Sequence, residues 1–196
     1  MVYLLDGSPH GRTGPRMTQT TVTSRPPRSP RPGRIHSVRA GSATLVNTLT
    51  AQAARYEGQR SPRQRFASLE SVVLAYGRRF TKVRIPVGHE LGPMRQCYNN
   101  AFHAVVESLG TADQLTYCEG FALPASLELA VEHAWAVDAA GRVIDPTWDD
   151  APRCGYVGVP LTLAHLMNRD QLDFRDPLGV TLADLKRDGL PASALA

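Results

Sequence analysis

Residues 132–148, Glu-His-Ala-Trp-Ala-Val-Asp-Ala-Ala-Gly-Arg-Val-Ile-Asp-Pro-Thr-Trp, decide how this chain is to be read. Two apolar, strand-like runs flank Asp138-Ala139-Ala140-Gly141, and Gly141 supplies the positive φ that ends a three-residue hairpin loop with a bulge. With Ala139-Ala140-Gly141 as the loop, Asp138 faces Arg142, Trp135 faces Asp145 and His133 faces Thr147. His133 and Asp145 are then diagonal neighbours on one face. Moving the loop back by one residue makes them direct partners, so either odd-length register leaves them on the same side, with Cβ atoms about 4.5–8 Å apart. Only an even-length loop changes that parity.

Working outward from the hairpin, Met94-Arg95-Gln96-Cys97-Tyr98-Asn99-Asn100-Ala101-Phe102 opens a helical pattern over about 95–109. Tyr98, Ala101, Phe102, Val105, Val106 and Leu109 form its apolar stripe, and Gly110 stops it. Cys97 therefore falls in the first turn, where unpaired amides and the positive end of the helix dipole favour a thiolate over a thiol. A thiolate needs a base to take its proton, and the base needs a carboxylate to hold its tautomer. Cys97, His133 and Asp145 meet those needs if the helix start packs on the hairpin face that carries the other two. The Cys97 amide can donate to an oxyanion, with the Gln96 side chain or a neighbouring asparagine as second donor.

The remaining cysteines and histidines lack such settings. Cys118 lies in a strand-like run without a nearby base, and Cys154 lies in a Pro/Gly loop. His103 and His165 sit inside helical patterns, and His89 in a loop without partner residues. No Cys-x-x-Cys or Cys/His grouping has zinc-site spacing, so neither metal nor cofactor is expected.

Upstream, the pattern Leu45, Leu49, Ala53, Tyr56 predicts a helix from Ser42 to Gly58. Ser61-Pro62 predicts a second helix start, with Phe66, Leu69, Val73 and Tyr76 on one face. Residues 81–94 read as a strand or extended loop. Strand-like stretches follow at 115–123, 132–138 and 141–148, and helical ones at 161–172 and 181–188. Helices, then strands, then helices predict an α+β domain with helices packed on an antiparallel sheet.

Composition limits the rest. The 196 residues suit one domain with extra chain, and the hydrophobic content of 42% with no apolar run of about 18 residues predicts a soluble protein that does not enter membranes. Residues 1–40 carry seven arginines against Asp6 alone, so the formal +4 of the chain leaves −2 for residues 41–196. Pro, Ser, Thr, Gly and Arg dominate residues 6–40, predicting a disordered basic tail over 1–40 and a folded domain over 41–196. The tail holds a PxxP spacing, Pro27-Arg28-Ser29-Pro30, and Met17 is an alternative initiator. Only Lys82 and Lys186 are lysines, and basic character confined to the tail argues against a nucleic-acid-binding domain beyond weak tail contacts. No secretory leader is apparent, which points to the cytoplasm and a reduced thiol.

At Cys97, the Tyr117-Cys118-Glu119-Gly120-Phe121 strand, His133-Ala134-Trp135 and Asp145-Pro146-Thr147, the sequence resembles the transglutaminase-like superfamily over about residues 94–158. The resemblance implies Cys97 as nucleophile, His133 as general base and acid, Asp145 as orienter, and Trp135 and Trp148 as walls of the site; Gln96 and Tyr98 are further oxyanion or substrate-wall candidates. Arg95-Gln96-Cys97-Tyr98 departs from the Gly-x-Cys-Trp segment of many relatives. The expected activity is thiol-dependent acyl chemistry on a peptide, protein or small amide or ester, with hydrolysis ahead of transfer to an amine. A fold-retaining binding module that uses the basic tail is the alternative.

Overall fold

The computed structural model describes residues 34–85, 90–124, 129–149, 154–168 and 176–196, with side chains from residue 41 onward, all within the unit Pro32–Ala196. In chain order the regular elements are α1 (Arg34–Glu57), α2 (Leu69–Tyr76), β1 (Arg78–Lys82), α3 (Cys97–Glu107), β2 (Thr116–Leu123), β3 (Val131–Val137), β4 (Arg142–Ile144), β5 (Gly155–Leu161), α4 (Leu163–Met167) and α5 (Leu182–Asp188). Mixed α and β structure agrees with the sequence expectation. The sheet does not, because it closes into a five-stranded barrel in the order β1-β4-β3-β2-β5.

Closure depends on β5, a strand absent from the sequence reading. One edge of β5 pairs with β2 from Tyr117↔Leu161 to Leu123↔Gly155. Its other edge takes β1, with Arg78 opposite Gly158 and Phe80 opposite Tyr156. β1 then runs parallel to β4, Lys82 lying opposite Val143, so the sheet is not purely antiparallel.

Period-two alternation assigns each side chain to one of two cores. Phe80, Cys118, Ala122, Trp135, Val137, Val143 and Tyr156 fill the barrel interior. Tyr117, Phe121, Ala134, Ala136, Val157, Val159 and Leu161 point outward against Leu45 and Leu49 of α1, Val72 and Val73 of α2, and Ala101, Ala104 and Val105 of α3. Two glycines make the narrow interior feasible. Gly120 and Gly158 face each other across β2 and β5, and a Cβ on Gly158 would stand 2.5 Å from Cη2 of the Trp135 indole. A Cβ on Gly120 would instead meet the β5 backbone at the Val157 carbonyl oxygen.

Helix boundaries differ from expectation for local reasons. α1 opens at Arg34, ahead of the expected tail boundary at residue 40, because a helix already nucleated extends through Ser37-Val38-Arg39-Ala40 at little cost. The remainder of the expected tail, with the PxxP spacing and Met17, lies outside the described residues, as does His89. The expected helix start at Ser61 is a turn instead, closed by Gln64 N–H donating to the Ser61 carbonyl. Phe66 N–H then donates to the Lys186 carbonyl, and Ser68 caps α2 by accepting from Ser71 N–H. α4 stops at Met167, and residues 169–172 of the longer helix expected there fall outside the described residues.

Candidate active site

The hairpin has the register expected with Ala139-Ala140-Gly141 as its loop. Val137 pairs with Val143 and Ala136 with Ile144, Asp138 N–H donates to the Arg142 carbonyl, and Gly141 has φ 72°. His133 and Asp145 consequently share the inner face, and His133 Nε2 lies 2.9 Å from Asp145 Oδ2. Both are buried, His133 at 2% and Asp145 at 0% exposure.

Contrary to the sequence expectation, α3 does not pack on that inner face. Its Ala101, Ala104 and Val105 lie on the outer core with Ala134 and Ala136. Cys97 still reaches His133 because it is the first residue of α3 and because β4 leaves β3 after Ile144, freeing the flank of β3 beside His133. Cys97 stands close enough to the imidazole for hydrogen bonding and charge from its side chain to help raise the His133 pKa. Asp145 takes Nε2, which leaves Nδ1 as the uncommitted nitrogen of the ring in that contact. The helix start is tied to the chain beyond β4 through Asn100, whose Nδ2 donates to Thr147 Oγ1 at 3.0 Å and to the Pro93 carbonyl at 2.9 Å. A second tie is Gly92 N–H to the Pro146 carbonyl, 2.7 Å.

The carboxylate is densely held. Oδ1 accepts from Thr147 N–H at 2.9 Å and Trp148 N–H at 3.1 Å. Oδ2 accepts from the Tyr156 hydroxyl at 2.7 Å, and Lys82 Nζ lies 3.9 Å away with its side chain 2% exposed. Burial alone would raise the Asp145 pKa; hydrogen bonding and charge from His133, then Lys82 and Tyr156, outweigh it and lower it. For His133, burial disfavours the imidazolium, but hydrogen bonds and charge from Asp145 and Cys97 prevail and raise the pKa.

The aromatic neighbours divide by role. Trp148 stacks on His133 with centroids 3.8 Å apart and planes 6° apart. Trp135 is fully buried with its centroid 6.2 Å from that of His133. It belongs to the barrel filling rather than to a substrate-facing wall, because residue 135 is one inward step deeper along β3. Tyr98 packs against the outer core and lines a small cleft with Glu119, Gly120 and Leu178. Gln96 is the N-cap of α3 and makes no side-chain capping bond, leaving the first amides of the helix without that partner.

Cys118 and Cys154 are fully buried thiols outside any disulfide, and burial pushes the Cys118 thiol far up. His165 Nε2 is 2.9 Å from the Leu178 carbonyl, and His103 is exposed on α3. Among the described residues no group of three His, Cys, Asp or Glu side chains is placed to hold a metal ion, and no helix is long and apolar enough to cross a membrane.

Sequence reasoning missed Lys82, Tyr156 and Asn100. Lys82 carried one signal, being one of two lysines in the chain, two residues after Phe80 on an alternating run. Tyr156 carried none while β5 went unrecognised.

No model of a known protein family, no curated protein and no solved structure matches this chain.

Proposed function

We propose that the protein performs thiol-dependent acyl chemistry through Cys97, His133 and Asp145, within a transglutaminase-like arrangement. One observation carries the reading: a single buried imidazole holds the Asp145 carboxylate at 2.9 Å and stands close enough to Cys97 for that side chain to help raise its pKa. The Cys97 sulfur attacks an amide or ester carbonyl while His133 holds the thiol proton. The tetrahedral oxyanion forms at the start of α3, where the Cys97 amide points, with the uncommitted Gln96 side chain as second donor. His133 then delivers its proton to the departing amine or alcohol, leaving a thioester. Water, deprotonated by His133, attacks that thioester and regenerates the thiol; an amine in place of water gives transfer. Hydrolysis is the favoured outcome. Asp145 fixes the ring so that Nδ1 meets sulfur, and Trp148 shields that pair from solvent.

The test is alkylation. Iodoacetamide at neutral pH, followed by peptide mapping, is expected to modify Cys97 selectively, and His133→Ala is expected to slow that modification by roughly tenfold or more. Equal rates in the two proteins would remove His133 as the base and leave a binding module as the reading. With Cys97 confirmed as reactive, peptide hydrolysis measured against dansyl-amine incorporation separates water from amine as acceptor.

A further inference from the structure

Orienting one imidazole takes one carboxylate oxygen, yet among the described residues Asp145 is engaged at both oxygens by five groups from four parts of the chain. Oδ1 is committed to the amides of Thr147 and Trp148, so the carboxylate cannot rotate. Oδ2 is shared by His133 of β3, Tyr156 of β5 and Lys82 of β1. Lys82 Nζ also donates to the carbonyl of Trp148, the residue whose ring stacks on His133.

We propose that Tyr156 and Lys82 are positioning residues for His133, fixing Asp145 and dividing its charge among three donors so that the imidazole receives only part of it. The consequence for catalysis rests on the function proposed above; the geometry does not. A carboxylate oxygen has two lone pairs, and two short contacts, from His133 at 2.9 Å and Tyr156 at 2.7 Å, already occupy them. The Tyr156 hydroxyl stays a donor, since burial and then the Asp145 charge keep its proton bound. Lys82 is 3% exposed and acts on the same oxygen through charge.

Among the described residues few groups surround His133. α3 contributes Cys97, β1 Lys82, the chain after β4 Asp145 and Trp148, and β5 Tyr156. β2 contributes only Gly120 opposite the ring, since Glu119 points outward to Tyr117 Oη and Leu178 N–H. Glu132 alternates to the far face of β3. The sign follows. Removing the Lys82 charge favours the imidazolium, and removing the Tyr156 hydroxyl returns carboxylate charge to the ring. Each change moves the His133 titration to higher pH.

The experiment follows the imidazole C2 proton of His133 by NMR in the full chain, assigned by its loss in His133→Asn. Tyr156→Phe, which conserves the ring, and Lys82→Met are each expected to raise the midpoint by about one pH unit, with Lys82→Arg staying near wild type. A residue that only fills space would leave the midpoint unchanged. An unmoved or lowered midpoint in folded Tyr156→Phe overturns the proposal, and that variant decides alone should Lys82→Met fail to fold. Wild-type Cys97 that resists alkylation while the midpoints shift would instead overturn the acyl chemistry and leave the positioning roles standing.

Discussion

Arg95 has φ 66°, a left-handed conformation that suits glycine and costs other residues about 1–3 kcal/mol. It stands two residues before Cys97. That backbone reversal stops α3 from starting earlier, although the apolar stripe predicts a helix from about Arg95. It thereby makes Cys97 the first helical residue, and the strain is the cost of placing the sulfur at the helix start. Arg95→Gly is expected to keep the turn and to hold or raise stability, while β-branched Arg95→Val loses about 1–2 kcal/mol. Urea unfolding of the two variants checks this, and iodoacetamide labelling should show the Val variant slowed at Cys97. Equal stabilities would mean the turn does not require a left-handed residue.

Among elements, the β3–β4 hairpin was legible in the sequence and β5 was not. Gly141 fixes an odd-length loop, and odd parity by itself puts His133 and Asp145 on one face. β5 is hidden because Gly-Tyr-Val-Gly-Val-Pro-Leu is buried at every position, so it shows no polar alternation, and Gly158 and Pro160 interrupt it. Those interruptions have structural causes. Pro160 needs no amide donor where its carbonyl accepts from Ala196 N–H at 3.1 Å, and Gly158 leaves room for Trp135. Gly158→Ala would bring its methyl to 2.5 Å from both the Glu119 carbonyl oxygen and the indole. The expected loss is about 1–3 kcal/mol, read from chemical denaturation, with Trp135 fluorescence reporting the displaced ring. Gly58→Ala, where a Cβ meets nothing within 4 Å, serves as the control and should change stability by less than about 0.5 kcal/mol. A similar small effect at Gly158 would show that the barrel is looser than its geometry requires.

For the whole molecule, closure converts a hairpin pair into a buried polar cluster at one end of an apolar barrel. Cys97, His133 and Asp145 were readable because each has a local setting: a helix start, a strand position, a hairpin partner. Lys82 and Tyr156 were not, because they reach Asp145 only once β1 and β5 have joined across the sheet, and that pairing depends on long-range packing rather than local pattern. The cluster ties folding to pH in both directions. Asp145 has a lowered pKa in the folded chain, so its contribution is present above the unfolded value of about 3.9 and is lost as pH falls through the folded one. His133 has a raised pKa, so its contribution is full below about 6.5 and is lost as pH rises through its folded value. Stability should therefore peak between these limits. Asp145→Asn removes the acid-side loss and most of the alkaline-side one, since the Asp145 hydrogen bond outranks Cys97 among the influences that raise His133. Its stability should be lower overall but flatter with pH than that of the wild type, in urea unfolding from about pH 3 to 9. Asp138, also lowered in the fold, titrates in both proteins, so the difference between the two curves isolates Asp145. Parallel curves between about pH 3 and 5 would mean that Asp145 gains no net stabilisation from His133, Tyr156 and Lys82.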